Sequence, residues 1–227
     1  MKRKVTHELL DDDSISAGEV AVALADLRAI NRRFGGLGTA ESLVRQISAQ
    51  TGSTSLSLLE VAAGSGYVPM ALSRLLGNHS LRLQVTLLDR VPSHLRNGSE
   101  TAAPRVAADA LSLPFADSSF DVVSCCLFAH HLQPDELVQF VNEGLRVCRV
   151  AVMINDIVRG PVHLLLVYAA FPLFHSYITR HDAPASVRQA YTREEMENML
   201  LQTRAARIEV HRYPLFRMGA IAWKRTI

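Results

Sequence analysis

The stretch from Leu56 to Val61 constrains this chain most. It is almost continuously apolar, follows Gly52-Ser53-Thr54 and runs straight into the small-residue turn Ala62-Ala63-Gly64-Ser65-Gly66. A strand of that composition is buried on both faces, as in a parallel sheet sheltered by helices on either side. The segments that follow keep to the same scheme. A helix is expected from Tyr67 to Leu76, with Pro69 in its first turn, where a missing N–H costs nothing, and Gly77-Asn78 beyond its end. Strands then occupy Leu81 to Leu88, a short run near Val106, and Phe120 to Cys126. A helix opens at Pro134 with Leu137, Val141 and Leu145 on one face, and a strand covers Val150 to Asn155. This alternation predicts βαβ units and a ligand site at the carboxyl ends of the strands.

Ahead of that core, Val20, Leu24, Leu27 and Ile30 repeat at helical spacing, and a second helix from Thr39 carries Leu43, Val44 and Ile47, with Gly35-Gly36 between them. They read as an N-terminal helical cap, residues 1–50, in front of an α/β domain, residues 51–227. After Asp156 the rhythm breaks. An apolar helical segment, Pro161 to Tyr177, and a polar stretch, RHDAPASVRQAY, read as an insertion at about 157–191 that shapes the ligand pocket. Thr192-Arg193-Glu194-Glu195 has the capping-box form, and Met196, Met199 and Leu200 make the apolar stripe of the helix it opens. Ile208 to His211 alternates as a strand, Pro214 interrupts, and Leu215 to Lys224 is expected to run antiparallel at the sheet edge. The fold class is a Rossmann-like α/β three-layer sandwich with a seven-stranded, mostly parallel sheet and an antiparallel last strand.

The charge balance, Lys+Arg 24 against Asp+Glu 22, leaves a formal charge of +2 with no basic run beyond Lys2–Lys4, so no nucleic-acid footprint is expected and the partner is a small molecule. Cys125, Cys126 and Cys148 form neither a CxxC pair nor a disulfide framework, which fits a reducing, cytoplasmic setting. No apolar region follows the basic N-terminus as in a secretory signal. The longest apolar stretch, Pro161 to Phe174, falls short of the roughly 20 residues a bilayer demands, so no stable membrane insertion is expected. It reads as a core or pocket-lining helix, with a lipid-facing surface as the alternative. A homodimer is left open.

The turn after Val61 decides between cofactors. A nicotinamide dinucleotide wants G-x-G-x-x-G, but counting from Gly64 the sixth position is Pro69, and counting from Ala62 the first and third glycines are both missing. The segment instead resembles motif I of class I S-adenosylmethionine-dependent methyltransferases, an acidic residue followed by Gly-x-Gly-x-Gly. Glu60 takes the acidic place, and Gly64 and Gly66 match two of the glycines. Ala62 stands at the first, adding a methyl where the backbone passes the methionine part of the cofactor.

Further stations of that family follow in order. Asp89 ends the second strand, where a carboxylate can accept both hydroxyls of a ribose; the resemblance makes it the ribose ligand. Asp109 to Asp121, DALSLPFADSSFD, is similar to the family's "GDAxxLPFxDxSFD" stretch, which assigns adenine contacts to Asp109 and Ala110. Val122 to Leu132 resembles the family's fourth strand and its "LHHL" continuation. Arg90 and Cys126 complete the expected cofactor set. Outside residues 55–156, the segments INRRFGG (30–36), INDIVRG (154–160) and RHDAPASVR (180–188) resemble bacterial small-molecule methyltransferases of polyketide, quinone and phenolic pathways.

The resemblance implies methylation of a small aromatic or apolar acceptor, with O-methylation favoured over C-methylation. In-line displacement at a sulfonium needs alignment and exclusion of water, and no metal. A phenol near pKa 10 benefits from a base, and histidine is the usual one. The candidates are His130, His131 and His181, with His163 and His175 behind them. Two adjacent histidines are not expected to share a metal ion, and Cys125 and Cys126 read as small core residues. Two other readings stay open: an NAD(P)-binding oxidoreductase, and a catalytically silent relative that retains the cofactor.

Overall fold

The structure is a computed structural model and describes residues 1–11, 15–78, 80–96 and 103–225. Its elements in chain order are α1 (Ala17–Arg33), α2 (Gly36–Thr51), β1 (Ser55–Val61), α3 (Tyr67–Gly77), β2 (Arg82–Asp89), α4 (Pro92–Arg96), β3 (Arg105–Ala107), β4 (Phe120–Cys126), α5 (Pro134–Val147), β5 (Cys148–Ile157), α6 (Pro161–Ala169), α7 (Tyr177–Gln189), α8 (Arg193–Leu200), β6 (Arg207–Tyr213) and β7 (Arg217–Trp223). The seven strands form one sheet in the order β3-β2-β1-β4-β5-β7-β6. Strands β1 to β5 pair in parallel and β7 runs antiparallel to both neighbours.

The alternation of side chains along each strand supplies two cores. Leu58, Val122, Ala151 and Met153 face Leu43, Val44 and Ile47 of α2 and Leu72 and Leu76 of α3. Leu59, Val123, Val152 and Ile154 face Phe140 and Val141 of α5 and Met196 and Met199 of α8. The capping box at Thr192 forms as expected, with the Glu195 N–H donating to Thr192 Oγ1 at 3.2 Å and the Thr192 N–H to Glu195 Oε2 at 2.8 Å.

Three expectations change. Helix α2 is one layer of the sandwich rather than a cap, because Leu43, Val44 and Ile47 are fully buried against the sheet, and only α1 turns toward the site. Strand β7 lies inside the sheet and the edge is β6. Small residues make this possible: Gly219, Ala220 and Ala222 sit under α2 and α5, and a Cβ on Gly219 would come within 2.7 Å of Tyr213 and 2.9 Å of Leu43. The apolar helix stops at Ala169 rather than Tyr177, and the polar stretch beyond it forms most of α7, which continues through Pro184. Its stability is tertiary, since Ile178, Ala185 and Val187 are buried and Asp182 accepts the N–H groups of Leu9 and Leu10 at 2.8 and 2.9 Å.

Candidate active site

A cavity of about 1210 Å³ opens at the carboxyl ends of β1, β2, β4 and β5. Helices α1, α6 and α7 and the N-terminal segment 1–11 wall its outer side. Pockets that bury one drug-sized ligand measure roughly 300–1,000 Å³, so this space exceeds what one such ligand requires.

At one end, the turn after β1 is bracketed by Asp89. Its Oδ2 accepts the Gly64 N–H at 2.8 Å and its Oδ1 the Val91 N–H at 2.9 Å, with His94 Nδ1 3.8 Å away. Each carboxylate oxygen accepts more than one hydrogen bond, so Asp89 retains capacity for a ligand diol. Glu60, 4% exposed, accepts a short hydrogen bond from the Ser124 hydroxyl. Burial pushes its pKa up to about 7 against that hydrogen bond.

The glycines of this turn do different work. Gly64, at φ +52°, has only Leu24 Cδ2 within 4 Å of where a Cβ would stand, at 3.9 Å, and so leaves open space in the turn. Gly66, at φ +70°, has Leu87 Cδ1 only 2.5 Å from that point. Its bare Cα is needed for packing, not for ligand approach. Ala62 holds φ +53°, a left-handed conformation that costs an L-residue about 1–2 kcal/mol. Ala62→Gly therefore relieves strain. Allowing for the extra unfolded-state entropy of glycine, we expect up to about 1 kcal/mol of stabilisation, a Tm higher by roughly 2–4 °C, and tighter cofactor binding. Unchanged melting and affinity would show that the turn tolerates the methyl.

Arg90, Asp109 and Ala110 line the neighbouring wall. Asp109 is exposed and its Oδ1 accepts the Leu111 N–H at 2.8 Å, fixing the turn that presents Ala110. The rest of that motif is scaffold. Arg146 donates to the carbonyls of Leu113 and Phe115 at 3.0 and 2.8 Å, and Asp121 accepts the Ser57 N–H at 2.8 Å, tying β4 to β1.

On the floor, Cys126 Sγ lies 3.7 Å from Asn31 Oδ1 and accepts from Asn155 Nδ2 at 3.4 Å, while the buried Arg217 donates to the Phe34 carbonyl at 3.0 Å and to Asn31 Oδ1 at 3.3 Å. Burial holds the Cys126 thiol well above its usual pKa. Asn31, Asn155 and Arg217 were not singled out from the sequence; Asn31 and Asn155 fall in segments whose only signal was resemblance.

The histidines separate sharply. His130 is 2% exposed; its Nδ1 meets Asp156 Oδ1 at 2.7 Å and its N–H donates to Asp156 Oδ2 at 3.0 Å, with Glu8 3.7 Å beyond Nε2. Burial works against its charge, but Asp156 and Glu8 prevail and raise its pKa to about 10. An imidazole held protonated is unsuited to accept a proton at neutral pH. His131 lines the cavity beside Phe128. His181 pairs with Asp182 at 2.8 Å and His175 with Asp26 at 3.1 Å, both outside the cavity lining. His163 lies on the cavity wall, stacked on Phe216 with centroids 4.8 Å apart, and its Nδ1 donates to the Val158 carbonyl at 2.9 Å. Burial lowers its pKa, aided by Arg217, so the ring is neutral with its lone pair on Nε2.

Residues 59–152 match the family model described as a methyltransferase domain. Over that stretch, which is less than half of the chain, the sequence is similar to methyltransferase domains. The matched methyltransferase region runs from β1 into β5 and contains Glu60, the turn, Asp89, Asp109 and both adjacent histidines, but not α1, α6 or α7. Solved structures share the whole methyltransferase fold at low identity. A methyltransferase from Aquifex aeolicus is 14% identical with a TM-score of 0.62 over 93% of this chain and 100% of that one. The plantazolicin methyltransferase BpumL, bound to a monoazolic substrate analogue and S-adenosylhomocysteine, is 14% identical with a TM-score of 0.64 over 91% and 96%. Magnesium protoporphyrin IX methyltransferase from Synechocystis PCC 6803, with bound S-adenosylhomocysteine, is 14% identical with a TM-score of 0.56 over 84% of each chain. No curated protein sequence matches the chain significantly. Among the described residues no helix is long and apolar enough to cross a membrane.

Proposed function

We propose that this methyltransferase binds S-adenosylmethionine between Glu60 and Asp89 and transfers its methyl to an oxygen of a small aromatic acceptor, phenolic, polyketide or quinone-like. The observation that carries the reading is the single cavity, whose polar end holds those two carboxylates and whose apolar end is lined by Leu166, Val167 and Phe174 with a neutral His163. The open space at Gly64 fits a ligand backbone passing close to the turn. Calorimetric titration with S-adenosylmethionine, S-adenosylhomocysteine, NAD and NADP tests it. The first pair alone binds; silence, or a nicotinamide response, overturns the cofactor assignment.

When bound, S-adenosylmethionine supplies a methyl group made electrophilic by its sulfonium. Asp89 accepts from the ribose diol, Asp109 and Ala110 face the base, and Glu60 faces the cationic end. His163 Nε2 takes the acceptor proton as the oxygen attacks. Helices α6 and α7 and the N-terminal segment exclude water. Turnover of a phenol separates this enzyme from a silent cofactor-binding relative.

Glu60 makes cofactor binding pH-dependent. With its pKa raised to about 7, Glu60 is largely protonated at pH 6 and ionised at pH 8, and a cation beside it favours the ionised form. S-adenosylmethionine affinity is expected to rise about tenfold across that interval. Glu60→Gln flattens the rise; a flat wild-type profile would place Glu60 away from the cationic end.

A further inference from the structure

The carboxylate of Glu8, on the N-terminal segment, stands between two imidazoles. Its Oε1 lies 3.7 Å from His130 Nε2 and its Oε2 lies 3.7 Å from His131 Nε2. Adjacent in sequence, the two rings still reach one carboxylate, because the 3-10 turn Ala129–His131 sets them side by side with centroids 4.4 Å apart and planes 34° apart. One donor atom from each of the three residues lies within 4.8 Å of the others. Gaps of 3.7 Å are too wide for direct hydrogen bonds. Ligands bound tetrahedrally at about 2.0–2.1 Å stand roughly 3.3–3.5 Å from one another, so closure by a few tenths of an ångström fits the Glu8 pairs around an ion.

The surroundings are those of a built site. A ligating histidine generally gives its other ring N–H to a carboxylate, and His130 Nδ1 meets the buried Asp156 at 2.7 Å. Glu8 Oε1 is held by Ser186 Oγ at 2.7 Å and Gln189 Nε2 at 2.5 Å. All three residues line the cavity. We propose that Glu8, His130 and His131 bind a divalent ion of the zinc type on the cavity wall. A two-histidine, one-carboxylate set suits zinc and other imidazole-loving ions.

Full-length protein stripped with EDTA and desalted is titrated with Zn²⁺ by calorimetry and with Co²⁺ by its visible absorption. One equivalent binds. Glu8→Gln, which keeps its size, and His131→Ala weaken binding by at least the roughly 10- to 100-fold that loss of even an outer partner costs. His175→Ala, outside the cavity, leaves it unchanged. Absence of binding by the wild type, or unchanged affinity in His131→Ala, overturns the proposal and leaves the gap to a proton. S-adenosylhomocysteine is titrated into the same samples, so failure of the metal site and failure of the cofactor reading are distinct results.

Discussion

His163→Ala lowers the methyl-transfer rate by about 100- to 10,000-fold, the usual contribution of a positioned general base, while cofactor affinity is unchanged. His163 is a cavity histidine whose electronic state suits the task. Burial keeps it neutral, and the Val158 carbonyl, 2.9 Å from Nδ1, fixes the tautomer so that Nε2 carries the lone pair. The sign of the pH dependence follows. Protonation disables the base, so the wild-type rate falls as pH drops below the ordinary histidine range, and the variant loses that limb. His163→Asn, whose amide nitrogen stands where Nδ1 does, can still donate to Val158 yet accepts no proton, and it separates ring packing from chemistry: a rate close to wild type in Asn would remove His163 from the mechanism. His130 is the contrasting case. Asp156 clamps its Nδ1 at 2.7 Å and Glu8 lies 3.7 Å from its Nε2, so it is enclosed by carboxylates.

Asp89→Ala weakens S-adenosylmethionine binding by about 2–4 kcal/mol, or roughly 30- to 1,000-fold, counting about 1–2 kcal/mol for each hydrogen bond lost to a ribose diol. The structure adds a second route to the same loss. Asp89 also accepts the N–H groups of Gly64 and Val91, so its removal releases the turn proposed to support the cofactor. The two routes have different signatures. Loss of the bracket lowers the melting temperature without ligand; loss of the ribose contact lowers affinity alone. Full affinity with a depressed melting temperature would make Asp89 a structural bracket only.

Much of the fold was legible because local and global signals agree in the matched region. Leu56 to Val61 is apolar on both faces, the turn after it must hold positive φ at Gly64 and Gly66, and the strand-end carboxylate Asp89 lies where parallel strands expose their carboxyl ends. The site was legible only as far as those strands reach. The stretch where α7 forms was legible only as a polar insertion, since nothing local shows that Asp182 and Gln189 are paired with the N-terminal segment. Period-2 alternation located β6 and β7 but not which of them lies at the edge.

Sequence alone determined the parallel part of the sheet, the turn and the carboxylates at one end of the cavity, because each rests on backbone conformation and periodicity over a few consecutive residues. Tertiary structure alone decided the other end. Glu8, Asp156 and His130, or His163 and Phe216, meet across long stretches of chain, and whether an imidazole there is a cation or a base is set by burial and by the charges folding brings beside it.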